Sequence, residues 1–452
     1  MYDLVIRGGR VVTAHEEFLA DVAVQDGAIA AIGSALHGTR ELDARGKLVL
    51  PGAIDGHVHM RTERPKDVYD DDWDTGTVAA AFGGVTTIVD QAQVEPGLTL
   101  TEGVDRRLAE AAGKSLIDYG VHVNLREANI ERVAEFAALT ARGCPSYKLY
   151  MTYETYQVPD DVIFVAMQEI ARLGGLVIVH AENDTMIREL LRQNAAAGRS
   201  GIRANASARP PEMEGEAVHR TLAMAKLAGC RALIYHVTSA DAVREIAAAK
   251  ARGQLAYGEG CLAYLMLDAA AMDDPVTGPA FDISPPLRDE QHRTALWAGL
   301  ASGALDIIST DHGPRKLIRH ADGSVTTPPG TSGVEVRLPL TYGVGVRGGV
   351  FPLHRWVELC CSAPAELFGL TRKGRILPGY DADLVIFDPE RRVTLSARTL
   401  HSNVDHSTYE GVELQGYPVT TISRGEVIVD DGELLVEPGR GRLVERSYGG
   451  TA

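Results

Sequence analysis

Eight short apolar runs, each followed by a helical stretch or a long loop, set the narrowest limit on how this chain can fold. The runs lie at 48–56, 85–90, 118–124, 146–150, 176–180, 232–236, 254–259 and 306–311. Typical helical stretches between them are Val133–Arg142, Val162–Leu173, Glu216–Ala228 and Ala240–Arg252. Parallel strands need a crossover connection, so repeated strand-then-helix alternation predicts a parallel sheet. Eight such units over roughly 250–320 residues suit a (β/α)8 TIM-like barrel with insertions. A doubly wound open sheet is the alternative, weakened because no Gly-x-Gly-x-x-Gly follows an early strand.

The two ends of the chain have a different texture. Leu4-Val-Ile, Arg10-Val-Val-Thr, Asp21-Val-Ala-Val and Ala28-Ile-Ala-Ala-Ile-Gly are short strands, with a hairpin turn at Gln25-Asp-Gly. Similar strands return in Ala382-Asp-Leu-Val-Ile-Phe, Val419-Thr-Thr-Ile-Ser-Arg-Gly and Glu426-Val-Ile-Val-Asp-Asp-Gly. The two ends are expected to pair into one small β-sandwich. The domain expectation is residues 1–52 as its first part, 53–374 as the barrel, 375–436 as its second part, and 437–452 as a surface-wrapping or loose tail.

Bulk properties narrow the functional class. A net charge of -16 argues against nucleic acid or an anionic membrane as partner. No apolar run approaches a spanning helix, and Asp3 and Arg7 interrupt the start where a signal peptide would be apolar. Cys144, Cys230, Cys261, Cys360 and Cys361 are scattered and odd in number, the pattern of reduced thiols in a cytoplasmic protein.

In a barrel, chemistry belongs at the C-terminal ends of the strands. The first such end holds His57-Val-His59, two imidazoles that alternation puts on the same side. Lys148 lies in the fourth strand, His180 ends the fifth, His236 the sixth and Asp311 the eighth. Any one of these could be a packing residue; four histidines and an aspartate at strand ends together point to a metal site. That set exceeds the three protein ligands and a water of one catalytic zinc, so it points to two ions. Ions about 3.5–4 Å apart need a bridging anion. Lys148 is open to two readings: a lysine paired with a carboxylate, or a neutral amine that reacts with CO2 to give a bridging carbamate.

At this point the chain resembles the amidohydrolase superfamily, and within it the dihydropyrimidinase/D-hydantoinase branch. The resemblance spans nearly the whole length. It rests on Pro51-Gly-Ala-Ile-Asp-Gly-His-Val-His, Ala80-Ala-Phe-Gly-Gly-Val-Thr-Thr, Tyr147-Lys-Leu-Tyr-Met-Thr-Tyr and His180-Ala-Glu-Asn. Arg209-Pro-Pro-Glu-Met-Glu-Gly-Glu-Ala, His236-Val-Thr-Ser, Ser284-Pro-Pro-Leu-Arg, Ser309-Thr-Asp-His and Asn403-Val-Asp-His-Ser-Thr-Tyr-Glu-Gly add to it.

The resemblance implies that His57, His59 and Asp311 hold one zinc, His180 and His236 the other, and carboxylated Lys148 bridges them; Mn2+ or Co2+ could replace zinc. It implies hydrolysis of the ring amide of hydantoins, dihydropyrimidines or related cyclic imides by a metal-bridging hydroxide. Asp311 then serves as general base and acid, and Tyr153 donates to the oxyanion. Without the resemblance, Tyr153 is as well explained as a packing tyrosine. Ser284 and the 329–331 segment would contact substrate, and a homotetramer is expected.

Two departures bear on the substrate. The branch's Asn-Gly-x-x-Gly-Val-Glu becomes Pro329-Gly-Thr-Ser-Gly-Val-Glu, so an N–H is missing at Pro329 and its contact is lost or moves to Gly330 or Thr331. Met60-Arg-Thr-Glu-Arg-Pro-Lys-Asp-Val-Tyr-Asp-Asp-Asp replaces a more apolar loop, and Arg61 is either solvated or reads a carboxylate as in dihydroorotases. The alternatives are therefore an allantoinase- or dihydroorotase-like hydrolase of a ureide or carboxylated ring, and a noncatalytic dihydropyrimidinase-related scaffold.

Overall fold

A computed structural model describes residues 1–61, 69–126, 132–274, 277–320, 325–327 and 329–448. The chain divides into two compact units, residues 1–89, 110–120 and 332–444, and residues 90–109, 121–331 and 445–452.

Five strands open the first unit: β1 Tyr2–Val12, β2 Glu17–Gln25, β3 Ala28–Gly33, β4 Gly38–Asp43 and β5 Leu48–Pro51. Asp26 and Gly27, with φ of 52° and 75°, make the expected turn between β2 and β3. Positive φ at both positions matches the twist of the flanking strands. Leu4-Val-Ile and Arg10-Val-Val-Thr fall almost entirely in one strand, not two; a bulge between Ile6 and Gly9 shifts its register with β2 without ending it.

The run at 48–56, expected as one strand, is two. β6, Ala53–Val58, belongs to a different sheet from β5. The hand-over is at Gly52, whose N–H donates to the Asp383 carbonyl at 2.8 Å, while the Ala53 N–H donates to that of Gly84 at 3.1 Å. A Cβ on Gly52 would lie 2.1 Å from Thr86 Oγ1, so the close approach demands glycine.

After β6 come β7 Val85–Gln93, β8 Asp118–Asn124, β9 Ser146–Tyr150, β10 Leu176–His180, β11 Arg231–Ile234, β12 Ala256–Cys261 and β13 Ile307–Ser309. They form one eight-stranded sheet in which sequence order is strand order. The pairings from β8 to β13 are parallel. Helices cross over between strands, among them Asp160–Arg172, Pro211–Ala228, Ala240–Ala251 and Glu290–Ser302. This is the (β/α)8 barrel. Every residue of β8, β9 and β10 is buried, so these strands lack the one-sided burial of a sheet with a solvent face. The helix expected at Val133–Arg142 is shorter, Phe136–Ala141, and residues 127–131 before it lie outside the described residues.

A two-stranded ribbon follows, β14 Ile318–Arg319 and β15 Val325–Thr326. β16 Leu384–Thr394, β17 Glu413–Ser423, β18 Glu426–Asp430 and β19 Glu433–Leu434 then return to the first sheet. That sheet has nine strands, ordered β19-β18-β17-β16-β5-β1-β2-β3 with β4 on β1. The two ends of the chain meet where β16 runs antiparallel to β5, pairing Leu384 with Pro51 and Phe387 with Leu48. Ile6, Val22, Val49, Leu384 and Ile422 are buried together in the core of this sheet. Part of the tail, expected to be surface-wrapping or loose, is anchored. Arg446 is buried in the second unit, donating to Ser146 Oγ at 2.9 Å and to the Val121 carbonyl.

Candidate active site

In the first unit, β6 delivers His57, and His59 follows one residue beyond the strand. Their ring centroids are 5.4 Å apart, and the His59 ring lies 5.5 Å from Tyr69. Asp55 Oδ1 accepts the His57 N–H at 3.2 Å, which fixes the backbone that presents the pair. The Arg61 side chain is exposed and its N–H donates to the Asp71 carbonyl at 2.7 Å. Asn403 clasps the same place: its N–H donates to Asp71 Oδ1 at 2.7 Å and its amide to the Asp70 carbonyl at 2.8 Å. The motif at 403–411 thus ties down the base of the loop after His59. Residues 62–68 of that loop lie outside the described residues.

The second unit carries Lys148 within β9, His180 at the end of β10, His236 two residues past β11 and Asp311 two past β13. The His180 and His236 rings meet edge to face at 4.3 Å. Lys148 is 1% exposed, and its Nζ has no hydrogen-bond partner among the described residues. That ammonium-bearing atom lies 4.1 Å from the Tyr235 ring centroid and 5.1 Å from that of Tyr150. Burial pushes the Lys148 amine down to about 7, against the opposing pull of Glu259 and Asp311. Desolvation wins because an isolated buried cation is costly, whereas a neutral amine is tolerated.

Tyr153 sits beyond β9 with its ring 5.0 Å from that of His180. Its hydroxyl donates to Ser284 Oγ at 2.7 Å, joining two expected substrate-facing residues that are 131 positions apart. Burial, reinforced by Glu182, raises the phenol's pKa, so Tyr153 keeps its proton and remains a donor. Asp184 Oδ1 holds this turn, accepting from Thr152 Oγ1 at 3.0 Å and from the Tyr153 N–H at 3.2 Å. Tyr153, His236 and Asp311 all have left-handed backbones, with φ of 69°, 35° and 52°. Each such residue costs on the order of 1 kcal/mol or more and persists only where its surroundings enforce it.

The 329–331 segment runs beside Asp311, with His312 bridged to Thr331 and the Gly313 N–H donating to the Thr331 carbonyl at 3.0 Å. The Gly330 N–H donates to the Asp282 carbonyl at 3.1 Å, so the missing donor at Pro329 is not simply replaced by the N–H of Gly330. No side chain fits there: with φ at 149°, a Cβ would lie 2.2 Å from the Gly313 carbonyl oxygen.

Three buried charged residues beside these positions escaped the sequence reading. Glu259, in β12, accepts the His236 N–H at 2.5 Å and the Ser309 hydroxyl. Its signal was an acidic residue inside the otherwise apolar run Ala256–Cys261. Glu182 Oε2 meets His180 Nε2 at 2.7 Å and Arg209 Nη1 at 2.6 Å. Both lie in motifs quoted above, but spacing alone gives no hint that a residue 27 positions away would complete the contact.

The amidohydrolase family model matches residues 48–428. D-hydantoinase of Streptomyces coelicolor is 39% identical over 98% of each chain, and that of Geobacillus stearothermophilus 37% identical over 98% of this chain and 97% of its own. Among solved structures, D-hydantoinase from Bacillus sp. AR9 superposes with a TM-score of 0.95 at 38% identity, covering 100% of both chains. L-hydantoinase from Arthrobacter aurescens gives 0.90 at 31% identity, covering 99% of this chain and 100% of the other. With its barrel, its histidine-bearing strand ends and these relatives over its full length, the chain belongs to the amidohydrolase family, in the hydantoinase and dihydropyrimidinase branch of cyclic amide hydrolases.

Proposed function

We propose that this enzyme uses two divalent ions to open hydantoins or dihydropyrimidines to N-carbamoyl acids, with D-configured 5-substituted hydantoins as its preferred substrates. One observation carries the metal part of the reading. Lys148 is an amine sealed from water, lacking a hydrogen-bond partner among the described residues and held near 7. A lysine so placed is a poor structural cation and a good acceptor of CO2. The substrate class and the D preference rest on the hydantoinases at 36–39% identity.

The residues present fit the ions. His57, His59 and Asp311 would hold one, His180 and His236 the second, and the Lys148 carbamate both. Imidazole and carboxylate suit Zn2+, and Mn2+ or Co2+ accept the same donors. When bound, such a pair ionises water near neutral pH and polarises the ring carbonyl.

The chain's own groups do the rest. Asp311 takes the proton of the attacking water and returns it to the ring nitrogen as the C–N bond breaks, so nitrogen leaves as a neutral carbamoyl group. The Tyr153 hydroxyl turns from Ser284 Oγ to the oxygen that becomes negative. The backbone around Ser284 and the Gly330 carbonyl face the amide edge of the ring; the Gly330 N–H is engaged by the Asp282 carbonyl, so Gly330 contributes an acceptor and not a donor. Free, buried cysteines support a reducing, cytoplasmic setting, and the family resemblance supports a homotetramer, which light scattering would reveal as four times the chain mass.

The test is a substrate panel of hydantoins with varied 5-substituents, dihydrouracil, allantoin and dihydroorotate, with products resolved by chiral chromatography. Opening of the first two classes with D preference is expected. Activity confined to dihydroorotate or allantoin would replace this reading, and a selective rise in KM for the acidic ring in Arg61→Met would identify Arg61 as its carboxylate reader.

A further inference from the structure

The segment Arg209-Pro-Pro-Glu-Met-Glu has no part in the chemistry above, yet it reaches two of the strand ends that carry it. Arg209 is buried and pairs with Glu182 at 2.6 Å, and Glu182 in turn meets His180 Nε2 at 2.7 Å. The Arg209 guanidinium also lies 5.3 Å from the Tyr153 ring centroid, a cation over an aromatic face. Five residues on, Glu214 occupies the first turn of the helix Pro211–Ala228 and is 3% exposed. Its Oε1 accepts the Thr238 N–H at 2.7 Å and its Oε2 the Thr238 hydroxyl, two residues after His236.

A second arginine ties the two contacts into one unit. Arg288 donates from Nε to Thr238 Oγ1 at 3.0 Å, from Nη1 to the Arg209 carbonyl, and lies 3.7 Å from Glu214 Oε2. Pro210 and Pro211 stiffen the link, and proline at the first helical position is already set for the helix. Gly215 lets the helix start close to its neighbour, since a Cβ there would lie 2.8 Å from Asp241 Cβ. Burying four charged side chains together is costly unless each is paired, so the arrangement holds its members rigidly or not at all.

We propose that Arg209 and Glu214 form a bracket that sets the orientation of the His180 and His236 imidazoles, making both positioning residues. Through Glu182, Arg209 fixes the His180 ring and leaves Nδ1 as its ligating nitrogen. Through Thr238, Glu214 fixes the left-handed turn that presents His236. By its place over the Tyr153 ring, Arg209 links the second ion to the oxyanion donor. The bracket rests on the reading of His180 and His236 as ligands of that ion.

The test compares Zn2+ binding, by chelator competition, in the full-length enzyme and in Arg209→Met, Glu214→Ala and Glu214→Gln. Circular dichroism and thermal unfolding identify the folded variants. Arg209→Met and Glu214→Ala should each weaken the second Zn2+ about ten- to a hundredfold, the range for lost partners of a ligand. The first Zn2+ should be unaffected, kcat should fall in parallel, and KM should change less than about threefold. Glu214→Gln keeps an acceptor for the Thr238 N–H and should recover most of the affinity, which also covers the case in which Glu214→Ala fails to fold. Folded Arg209→Met and Glu214→Ala that keep both ions at wild-type affinity would overturn the bracket. His180→Ala and His236→Ala separate the two ideas: loss of one ion in these but not in the bracket variants defeats the bracket alone. Retention of both ions in them defeats the ligand reading and the bracket with it.

Discussion

Lys148 concentrates the residue-scale physics. An ammonium buried at this position, with only Glu259 and Asp311 acting in its favour, is less stable than the neutral amine at ordinary pH. Replacing it by alanine removes the bridging anion, and Lys148→Ala should lose metal and at least about a hundredfold in kcat together; retained activity would refute the bridge. The lowered pKa also has a sign that can be tested. Lys148 is mostly protonated below about 7 and mostly neutral above it, and only the neutral amine adds CO2. Apoenzyme reloaded with Zn2+ at constant dissolved CO2 should therefore recover activity about tenfold faster at pH 8 than at pH 6. In the apoenzyme the unfolded state binds the extra proton between about 7 and the ordinary 10.5, so this group makes stability rise with pH across that window. A melting temperature that falls over that range, once other groups are matched in Lys148→Met, would contradict the assignment.

At the scale of elements, the site depends on short turns just past the strand ends rather than on the strands themselves. Tyr153, His236 and Asp311 each leave the strand in a left-handed conformation, and each turn is held by a buried acceptor or a neighbouring segment. Asp184 is the simplest to test, because it holds the Thr152–Tyr153 turn from a helix that has no ligand role. Asp184→Ala should lower kcat by about tenfold through misplacement of the phenol while leaving metal content intact. Tyr153→Phe, which removes the donor itself, should cost about 10²–10³ in kcat. Equal effects of the two would mean that the turn collapses without Asp184, and circular dichroism with metal analysis distinguishes that outcome. Of these contacts the sequence shows the motif but not the partner. His180-Ala-Glu-Asn announces a ligand-bearing strand end, yet no local pattern encodes that Arg209, 27 positions on, meets Glu182 or that Asp184 reaches the Thr152–Tyr153 turn.

For the whole molecule, the segment around Arg446 is a stability element of the second unit. Its guanidinium supplies Ser146 Oγ and the Val121 carbonyl from within a buried site, and Tyr448 lies with its ring 4.2 Å from the Arg231 guanidinium. Arg446→Ala removes a buried donor to the Val121 carbonyl, while Ser146 Oγ keeps its contact with His122 Nδ1 at 2.6 Å, and should lower stability by about 1–2 kcal/mol in urea unfolding, with kcat/KM nearly unchanged. The barrel was legible in advance because eight short, largely apolar runs alternate with helical stretches or long loops, a pattern set by local composition alone. The same holds for the hairpin at Asp26-Gly27 and for the histidines at strand ends. The Pro51-Gly52 pair marks a break in the run at 48–56, but not that the two halves serve different sheets; the approach of Thr86 to Gly52 decides that. Nor was the anchoring of Arg446 legible, or the charge network of Glu182, Arg209, Glu214 and Arg288. The sequence by itself determined periodicity, the chemistry available at each strand end and the order of the strands. Tertiary structure alone decided which buried charges meet, because pairing across tens to hundreds of residues depends on distances that only the folded chain creates.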